Sequence, residues 1–495
     1  MRPRRSGHRV ATALAMLLAV LAIAYFHSYI ALYSPYPTDD AYIHFRMARN
    51  FVEHGQPYYN LEEPVLASSS VFWLLFVSAV FEVVGTRIDI LPYAALAFTV
   101  VLFLLCTVLL ARRFSPLTAV CVAFLIVAAF GLSVAAELME TPAALVFFLA
   151  AVVLFQHRRF VGFGVLSALA LLTRYEFALW LPIAFVLLPD RPARTRFMWG
   201  AAVPLLGGAA FSLGFFGTLV PHAVLAKSRV VQMAPGEFFS TLEMSWREVA
   251  LLAVVAALLL NAARRPDTPA AGTAIALFPL LLFGAYAAAR TLLFEWYLPL
   301  VFLPLVLSCF LILPARQLLA VLLVLVAVRP LAIAAVREGY GVLVGDATRY
   351  REYAMGTRVR QYLHIGAELN EQFPGAVLMA AEIGGLGWTF RGKIIDGAAA
   401  LVSPECLKYH PVKAPEDRPN GLAGAIPPQA VRDLSPRLIV SMETFTPALR
   451  RDLASGRLPG YRLLHNYPVI NEVDSARSGI VGLWGARYTQ VYIRD

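Results

Sequence analysis

The chain has 495 residues, of which 59% are hydrophobic and only 15% are charged, and its formal net charge is +10. A soluble globular protein of this length does not carry so much apolar surface, so the composition predicts a polytopic α-helical membrane protein. The positive charge does not indicate nucleic-acid binding, because the basic residues precede or separate apolar runs, where they set the orientation of membrane proteins. We therefore predict membrane lipids as partners, and no nucleic acid.

Twelve apolar runs succeed one another in the first 335 residues. They cover residues 10–32, 68–84, 91–111, 116–131, 141–156, 160–173, 177–189, 197–219, 247–262, 271–288, 298–313 and 317–335. Basic clusters at 157–159, 191–196 and 264–265 indicate the cytoplasmic ends of their neighbours. Twelve crossings would return the tail to the cytoplasm, so we predict about 11 spans plus one short segment that does not cross. The best candidate for that segment is 68–84, which is short and opens with three serines.

The last part of the chain differs in character from the first. We predict a transmembrane domain over residues 1–336, with an outer loop at 33–67, and a separate extracytoplasmic α/β domain over 337–495. Short strands are predicted for "GAVLMAAE" (375–382), "GKIIDGA" (392–398), "RLIVSME" (437–443) and "YTQVYIR" (488–494). Stretches rich in proline and glycine separate these strands.

Ionisable side chains beside membrane segments are energetically expensive and therefore informative. With the orientation above, many of them fall at the outward-facing ends of apolar runs. The acids are Asp39, Asp40, Glu137, Glu140, Glu176 and Glu295, and the bases are Arg174, His222, Lys227, Arg229 and Arg290. This distribution predicts one polar chamber at the outer membrane surface.

The stretch "PTDDAYIHFRMARNF" predicts a helix that starts with two acids, with Thr38 as its cap. The acids can simply complement the helix dipole. At a lipid boundary, however, a partly desolvated carboxylate can also act as a general base, and either Asp39 or Asp40 fits that role. His44 and Arg46 lie on the same helix and are predicted substrate contacts.

Glu137 and Glu140 are spaced i, i+3 at the end of a predicted helix. They either complement a helix dipole or add carboxylates to the chamber, for sugar hydroxyls or for a divalent cation. If a cation is present, Asp40 and Glu140 are its predicted ligands, and oxygen-only ligands favour Mg²⁺, Mn²⁺ or Ca²⁺.

Three further stretches contribute predicted substrate contacts. They are "LLTRYEFALW" with Arg174 and Glu176, "GTLVPHAVLAKSRVV" with His222, Lys227 and Arg229, and "RTLLFEWYLPL" with Arg290, Glu295, Trp296 and Tyr297. Arginine and lysine on the outer side run against the usual charge bias, and a phosphate would explain them. The alternatives are an internal ion pair for Arg174 with Glu176 and an interface belt for the two aromatic residues.

Acids for a hydroxyl, cations for a phosphate and access from the membrane together predict glycosyl transfer from a lipid-phosphate sugar. A carboxylate takes the proton of the acceptor hydroxyl, and cations stabilise the departing phosphate. No acid is needed for a leaving group that is already anionic.

The stretch "TDDAYIHFRMARNFVEHGQPYYN" resembles the first outer loop of GT-C superfamily glycosyltransferases, in particular the group of the mycobacterial terminal arabinofuranosyltransferase and its Gram-negative relatives. "ELMETPAALVFF", "LLTRYEFAL", "LVPHAVLAKSR" and "AAEIGGLGWTFRGKIIDGAAAL" are similar to further parts of that group. The resemblance implies a GT-C-like catalytic domain that transfers a sugar from a polyprenyl-phosphate donor, and it places the catalytic acid at Asp39 or Asp40 and a donor-phosphate contact at Lys227. Two departures from the group's pattern, Tyr175 and His222, lie near the implied donor.

The sequence therefore predicts an enzyme of the bacterial cytoplasmic membrane, with its site and tail on the periplasmic side. Its predicted partners are a polyprenyl-phosphate sugar, most simply arabinofuranose, and an extracytoplasmic glycan, lipid or protein that accepts the sugar. A mannosyl- or aminoarabinosyltransferase is an alternative within the superfamily. A transporter or flippase of lipid-linked sugars is the alternative from another class, but it predicts charges spread through the membrane depth.

Overall fold

The computed structural model describes residues 4–230, 246–265, 270–290, 293–314, 321, 324, 326, 328–410, 425–469 and 486–495. Helices make up almost all of the first three quarters of the described chain. Their bounds are Arg4–Tyr33 (α1), Asp39–His54 (α2), Val71–Val84 (α3), Leu91–Leu110 (α4), Pro116–Phe130 (α5), Leu132–Ala136 (α6), Thr141–Gln156 (α7), Phe160–Thr173 (α8), Trp180–Val186 (α9), Arg191–Phe216 (α10), His222–Val230 (α11), Trp246–Ala263 (α12), Ala270–Ala289 (α13), Leu298–Ile312 (α14), Arg329–Val344 (α15) and Tyr353–Gln372 (α16).

The helices confirm the predicted polytopic membrane protein. Within the described residues, five helices are long and apolar enough to cross a bilayer, and they are Val10–Tyr33, Ile88–Leu110, Arg191–Phe216, Gly272–Ala289 and Glu295–Ile312. Six further apolar helices are shorter and match other predicted runs, among them Val71–Val84. The run 317–335 lies partly outside the described residues, and the total of about 11 spans stays a prediction.

Close packing of α8 against α10 sets the position of the residues that follow α8. A Cβ atom on Gly164 of α8 would lie 2.1 Å from the backbone oxygen of Phe197 on α10, so only glycine fits there. In a bilayer the hydrophobic effect does not drive helices together, so helix association depends on close packing, which small residues permit. Helix α8 ends at Thr173, directly before Arg174.

The tail contains a five-stranded mixed sheet. Its strands are Leu378–Ala380 (β1), Ile394–Asp396 (β2), Leu438–Met442 (β3), Tyr461–Pro468 (β4) and Tyr488–Arg494 (β5), in the order β2-β1-β3-β5-β4. β1 pairs in parallel with β2 and β3, whereas β5 pairs antiparallel with β3 and β4. Its helices are Gly384–Thr389 (α17), Pro428–Leu434 (α18) and Pro447–Ala454 (α19).

The four predicted strands are confirmed, and β4 was missed. β4 is an edge strand whose side chains are exposed or half-buried, so it lacks the alternation of apolar and polar residues that marks a half-buried strand. The predicted domain boundary at 336/337 falls inside α15, which runs without a break from Arg329 to Val344. One hydrophobic core extends from α1 through the helices to β1, β3 and β5.

Helix α2 lies between the membrane helices and the tail. Its guanidinium at Arg46 donates to the backbone oxygens of Tyr59, Gly387, Phe390 and Gly392 at 2.7–2.9 Å. Arg49 adds a hydrogen bond of 2.7 Å to the backbone oxygen of Trp388, and Asn60, in the loop after α2, exchanges two with Ile394. The first loop and the tail segment 383–394 are therefore one packed unit.

Candidate functional site

Six residues from five separate parts of the chain form a series of contacts whose two ends lie on the same helix, α2, and we call this arrangement the charged ring. Its members are Asp40, His44, Glu140, Arg174, Lys227 and Tyr297. All six were singled out from the sequence. Asp40, Glu140, Arg174, Lys227 and Tyr297 each lie within a turn of a helix end, and His44 lies in the second turn of α2.

Helix α2 supplies the first two members. It starts at Asp39 and ends at His54, and the following residue, Gly55, has a φ of 70°, the left-handed conformation common at helix C-termini. Asp40 and His44 are one turn apart and therefore share a face. Thr38 occupies the N-cap position with extended backbone, but its side chain makes no capping hydrogen bond, so the predicted cap is wrong in that respect.

The two adjacent aspartates have different surroundings. Both carboxylate oxygens of Asp39 accept hydrogen bonds of 2.8 Å, one from the amide of Gly384 and one from that of Gly385. Asp39 is buried, and burial raises the pKa of its carboxyl although Arg358 and the two amides oppose the shift. The side chain of Asp40 keeps 27% of its exposure and faces Lys227, whose Nζ lies 3.6 Å from Oδ2.

Lys227 reaches the ring from α11. Its ammonium donates to the Tyr297 hydroxyl at 3.3 Å and lies 5.7 Å from the ring centroids of both Phe294 and Tyr297. Burial opposes the charge, but Tyr297 and Asp40 together raise the pKa of Lys227 above its usual value. The lysine is therefore a cation at neutral pH and remains 21% exposed.

Glu140 and Arg174 form the most deeply buried ion pair of the ring. Arg174 Nη1 lies 2.6 Å from Glu140 Oε1, and the two side chains are 2% and 0% exposed. Although burial would raise it, the guanidinium of Arg174 holds the pKa of Glu140 below its usual value. Arg174 also bonds Glu176 at 2.6 Å, as the ion-pair alternative proposed, and stacks its guanidinium 4.5 Å from the Tyr297 ring centroid.

His44 closes the ring. Its Nε2 lies 3.8 Å from Glu140 Oε2, and its Nδ1 is hydrogen-bonded to Ser68 Oγ at 3.0 Å. The Ser68 hydroxyl donates its proton to the backbone oxygen of Ser70, so in its bond with His44 it is the acceptor and Nδ1 carries the proton. Burial lowers the pKa of His44, so the imidazole is neutral at pH 7 and its approach to Glu140 is not an ion pair.

The loop before α14 lines one side of the ring with aromatic rings. Trp296 is buried and stacks on Phe294 with centroids 4.7 Å apart. Its backbone oxygen accepts a hydrogen bond of 3.0 Å from Thr141 Oγ1, which joins this loop to the start of α7. Tyr297 thereby stands between the two cations of the ring, Arg174 and Lys227.

Among the predicted site residues outside the ring, Arg46, His222, Arg229 and Arg290 make no contact with its members that the structure describes. The guanidinium of Arg46 is occupied by four backbone oxygens, and His222 Nε2 donates to the backbone oxygen of Ala400 at 2.9 Å. Arg229 is exposed on α11, and Arg290 is half-buried at the end of α13 with a left-handed φ of 51°. The geometry gives Arg46 and His222 contacts with the tail, while substrate contacts by any of the four stay predictions.

Glu137 and Glu295 belong to a second cluster, which also contains Glu338, Glu352 and Arg351. Arg351 forms an ion pair with Glu295, lies 3.9 Å from Glu352 and donates its backbone N–H to Glu338 Oε1 at 3.1 Å. Glu137 is fully buried and neither of its oxygens is hydrogen-bonded, and burial raises the pKa of its carboxyl well above the usual value. The two predicted glutamates at 137 and 140 thus point into different clusters.

The residues of the ring do not form a metal site in this arrangement. Lys227 already faces Asp40, and Arg174 already faces Glu140, so each predicted ligand has a cationic partner within the chain. Within the described part of the chain, no three His, Cys, Asp or Glu side chains are grouped as a metal ion requires. A divalent cation stays a prediction, and no step below depends on it.

Sequence reasoning missed several residues that shape the site. Tyr286 donates to Glu176 Oε1 at 3.1 Å, and Arg351 and Glu338 build the second cluster. Tyr286 was hidden within an apolar run. The cluster residues after 336 could have been found by asking which charges in the tail need partners beside a membrane.

No family model matches the chain, and no curated protein matches it in sequence. Solved structures do match. ArnT from Cupriavidus metallidurans bound to undecaprenyl phosphate has a TM-score of 0.53 at 13% identity over 97% of this chain and 98% of that chain. The apo state of ArnT gives 0.50 at 13% identity over 98% of both chains. Arabinofuranosyltransferase AftD from Mycobacteria gives 0.45 at 15% identity over 97% of this chain, which spans 40% of AftD.

The likeness to ArnT extends over nearly the whole length of both chains, the membrane helices and the tail included. It was anticipated by the first-loop stretch that begins at Thr38. The predicted resemblance is thus confirmed at the level of the fold: this chain has the fold of the GT-C membrane glycosyltransferases.

Proposed function

We propose that this chain transfers a sugar from a polyprenyl-phosphate donor to a hydroxyl group of an extracytoplasmic glycan, lipid or protein. The observation that carries the proposal is the contact between Asp40 and Lys227, 3.6 Å apart and both partly exposed. A proton acceptor and a cation for a phosphate are thereby available to one substrate complex. The rest of the charged ring holds these two groups in place.

Asp40 is the general base of the proposed reaction. A base must reach the proton that it removes, and Asp39 is sealed on the amides of Gly384 and Gly385. Asp40 takes the proton of the acceptor hydroxyl while that oxygen bonds to the anomeric carbon. The bond from that carbon to the phosphate oxygen breaks, and its electron pair leaves with polyprenyl phosphate.

Lys227 stabilises the negative charge on the departing phosphate. Its ammonium is cationic at neutral pH, and a charged donor aimed at a developing anion is among the strongest contributors to transfer reactions. Before the donor binds, Asp40 and Tyr297 occupy this ammonium. The donor phosphate takes over part of these contacts and so frees Asp40 to accept a proton.

The sugar and the location follow from the resemblance and the fold. Arabinofuranose is the sugar that the sequence resemblance favours, and a donor on a polyprenyl phosphate is consistent with the lipid bound to ArnT. In this proposal Trp296 and Tyr297 contact the sugar ring or the first part of the lipid. We place the site on the periplasmic side of the bacterial cytoplasmic membrane, because the basic clusters between helices favour that orientation.

The alternative is a transporter or flippase of lipid-linked sugars. Such a protein needs polar groups along the path through the membrane. In this chain the members of the charged ring gather instead at helix ends around α2 and the loop before α14. This grouping favours a reaction at one place over movement across the bilayer.

The direct test incubates the purified full-length protein with polyprenyl-phosphate arabinofuranose, mannose and aminoarabinose and measures released polyprenyl phosphate. We expect release from one donor in the presence of a hydroxyl acceptor. Lipid movement across proteoliposomes without release of polyprenyl phosphate from any donor would support the flippase instead.

Replacing Lys227 by Ala is expected to raise the apparent KM for the lipid donor roughly 10- to 100-fold, since a hydrogen bond to a charged group is lost. Lys227→Arg should retain most of the affinity because it keeps the charge. Steady-state kinetics with varied donor at saturating acceptor measures both variants. If the substitution changes only the KM for the acceptor, Lys227 does not bind the donor phosphate.

A further inference from the structure

The tail sheet presents the ends of two neighbouring parallel strands to the candidate active site. β1 and β2 pair in register, with Ala380 opposite Asp396. Because the strands are parallel, the segments that follow them leave the sheet at the same edge. The segment after β1 contacts α2, which carries Asp40, and the segment after β2 contacts α11, which carries Lys227.

The first of these contacts is made by Gly384 and Gly385, whose amides bind the carboxylate of Asp39. A Cβ atom on Gly384 would lie 1.8 Å from the backbone oxygen of Asp39, so no other residue permits this approach. Asp39 directly precedes Asp40. The segment after β1 therefore fixes the backbone from which the candidate base projects.

The second contact depends on Asp396 at the end of β2. Its buried carboxylate accepts hydrogen bonds from the amides of Ala398, Ala399 and Leu401 at 2.7–3.2 Å, which wraps the following segment around it. Within this segment Ala400 adopts a left-handed φ of 55°, a conformation that alanine rarely takes. The bonds to Asp396 hold that strained residue in place.

The strained residue is the one that meets α11. The backbone oxygen of Ala400 accepts a hydrogen bond of 2.9 Å from His222 Nε2, and the amide of His222 donates to Leu66 at 2.9 Å. His222 is the first residue of α11, and Lys227 lies on the same helix. The contacts thus run from Asp396 through Ala400 and His222 to the helix that carries the candidate phosphate ligand.

We propose that Asp396 is a positioning residue that, through Ala400 and His222, sets the distance between Lys227 and Asp40. The proposal rests on the proposed function, because it assigns the two ring residues their roles in donor binding and proton transfer. Asp396 itself touches no substrate. The segments that follow β1 and β2 thus position the helices that carry Asp40 and Lys227, and both segments extend from the same edge of one sheet.

The kinetic test compares Asp396→Asn with the wild type in the full-length protein. Loss of charge-assisted bonds to the amides is expected to raise the KM for the polyprenyl-phosphate donor about three- to tenfold, because only part of their energy acts on Lys227 through Ala400 and His222. In the Lys227→Ala background the same change should add almost nothing, because both act through one contact. Equal effects in both backgrounds would show a general structural role and overturn the proposal.

A matched control is Asp433→Asn, which removes an exposed carboxylate of the same tail, bonded to Tyr409 and Gln429. It is expected to leave the KM for the donor unchanged. Thermal unfolding of both variants in detergent shows whether Asp396→Asn remains folded.

A second measurement does not need turnover. In a chain with Asp40→Cys, Lys227→Cys and Cys121→Ser, a short thiol cross-linker should join positions 40 and 227 rapidly, and Asp396→Asn should slow the reaction severalfold. An unchanged rate would overturn the positioning role. If no donor in the panel reacts with the wild type, the proposed function fails while the cross-linking rate still decides the role of Asp396.

Discussion

Replacing Asp40 by Asn is expected to lower the rate of sugar transfer by a factor of roughly 100 to 10,000, the usual contribution of a positioned general base. Asparagine keeps the size of the side chain but cannot take up a proton. Because Asp40 is 27% exposed and its contact with Lys227 is 3.6 Å long, the change should have little effect on folding. Single-turnover release of polyprenyl phosphate measures the rate, and the unfolding temperature in detergent measures stability.

Asp39→Asn is the informative companion, because it changes the neighbouring carboxylate. An amide there can no longer accept from both Gly384 and Gly385, so this variant should lose stability and only part of its activity. The opposite outcome, with Asp40→Asn active and Asp39→Asn stable but inactive, would transfer the role of base to Asp39. Retention of full turnover in both would end the general-base mechanism.

Replacing Arg174 by Met is expected to destabilise the protein by about 3–5 kcal/mol, because it leaves Glu140 buried without a charged partner. Glu140 is 0% exposed, and His44, its other neighbour, is neutral at pH 7. The midpoint of chemical unfolding in detergent, followed by near-ultraviolet circular dichroism, measures the loss.

A double-mutant cycle sharpens this prediction. Adding Glu140→Gln to Arg174→Met removes the orphaned charge and should restore a large part of the stability, since contacting residues are not additive. Arg229→Met is the matched control: it removes the same side chain from the exposed face of α11 and should cost almost nothing. Full additivity of the two ring substitutions would show that the pair does not stabilise the fold.

The sequence was sufficient to identify the residues of the charged ring, but it could not predict which of them contact one another. Charged residues beside membrane segments usually have a function, and this rule identified Asp40, Glu140, Arg174 and Lys227. Hydropathy alone located most of the helices. Sequence could not separate Asp39 from Asp40, because the difference depends on two glycine amides that lie about 345 residues further along the chain.

The same limitation explains the residues whose contacts were unexpected. From the sequence, Arg46 was predicted to contact the substrate. In the structure it binds backbone oxygens of residues 387–392, and no local sequence pattern predicts such a distant contact. Glu137 and Glu140 share a spacing that predicts a common face, but the turn between them contains Leu138 at a left-handed φ of 58° and sends them to different clusters. Long-range packing decided the case of Arg46, and a local backbone turn decided that of the two glutamates.

The docking of α2 on the tail has a consequence for biosynthesis. Apart from the bond of Arg46 to Tyr59, the backbone oxygens that accept from Arg46 and Arg49 lie 339–346 residues downstream, so these tail partners are synthesised long after the two guanidinium groups. All the membrane helices that lie between α2 and the tail in the sequence are synthesised before α2 can pack against the tail. The first loop can therefore complete its packing against the tail only after residue 392 has been synthesised, which makes this one of the late steps of folding.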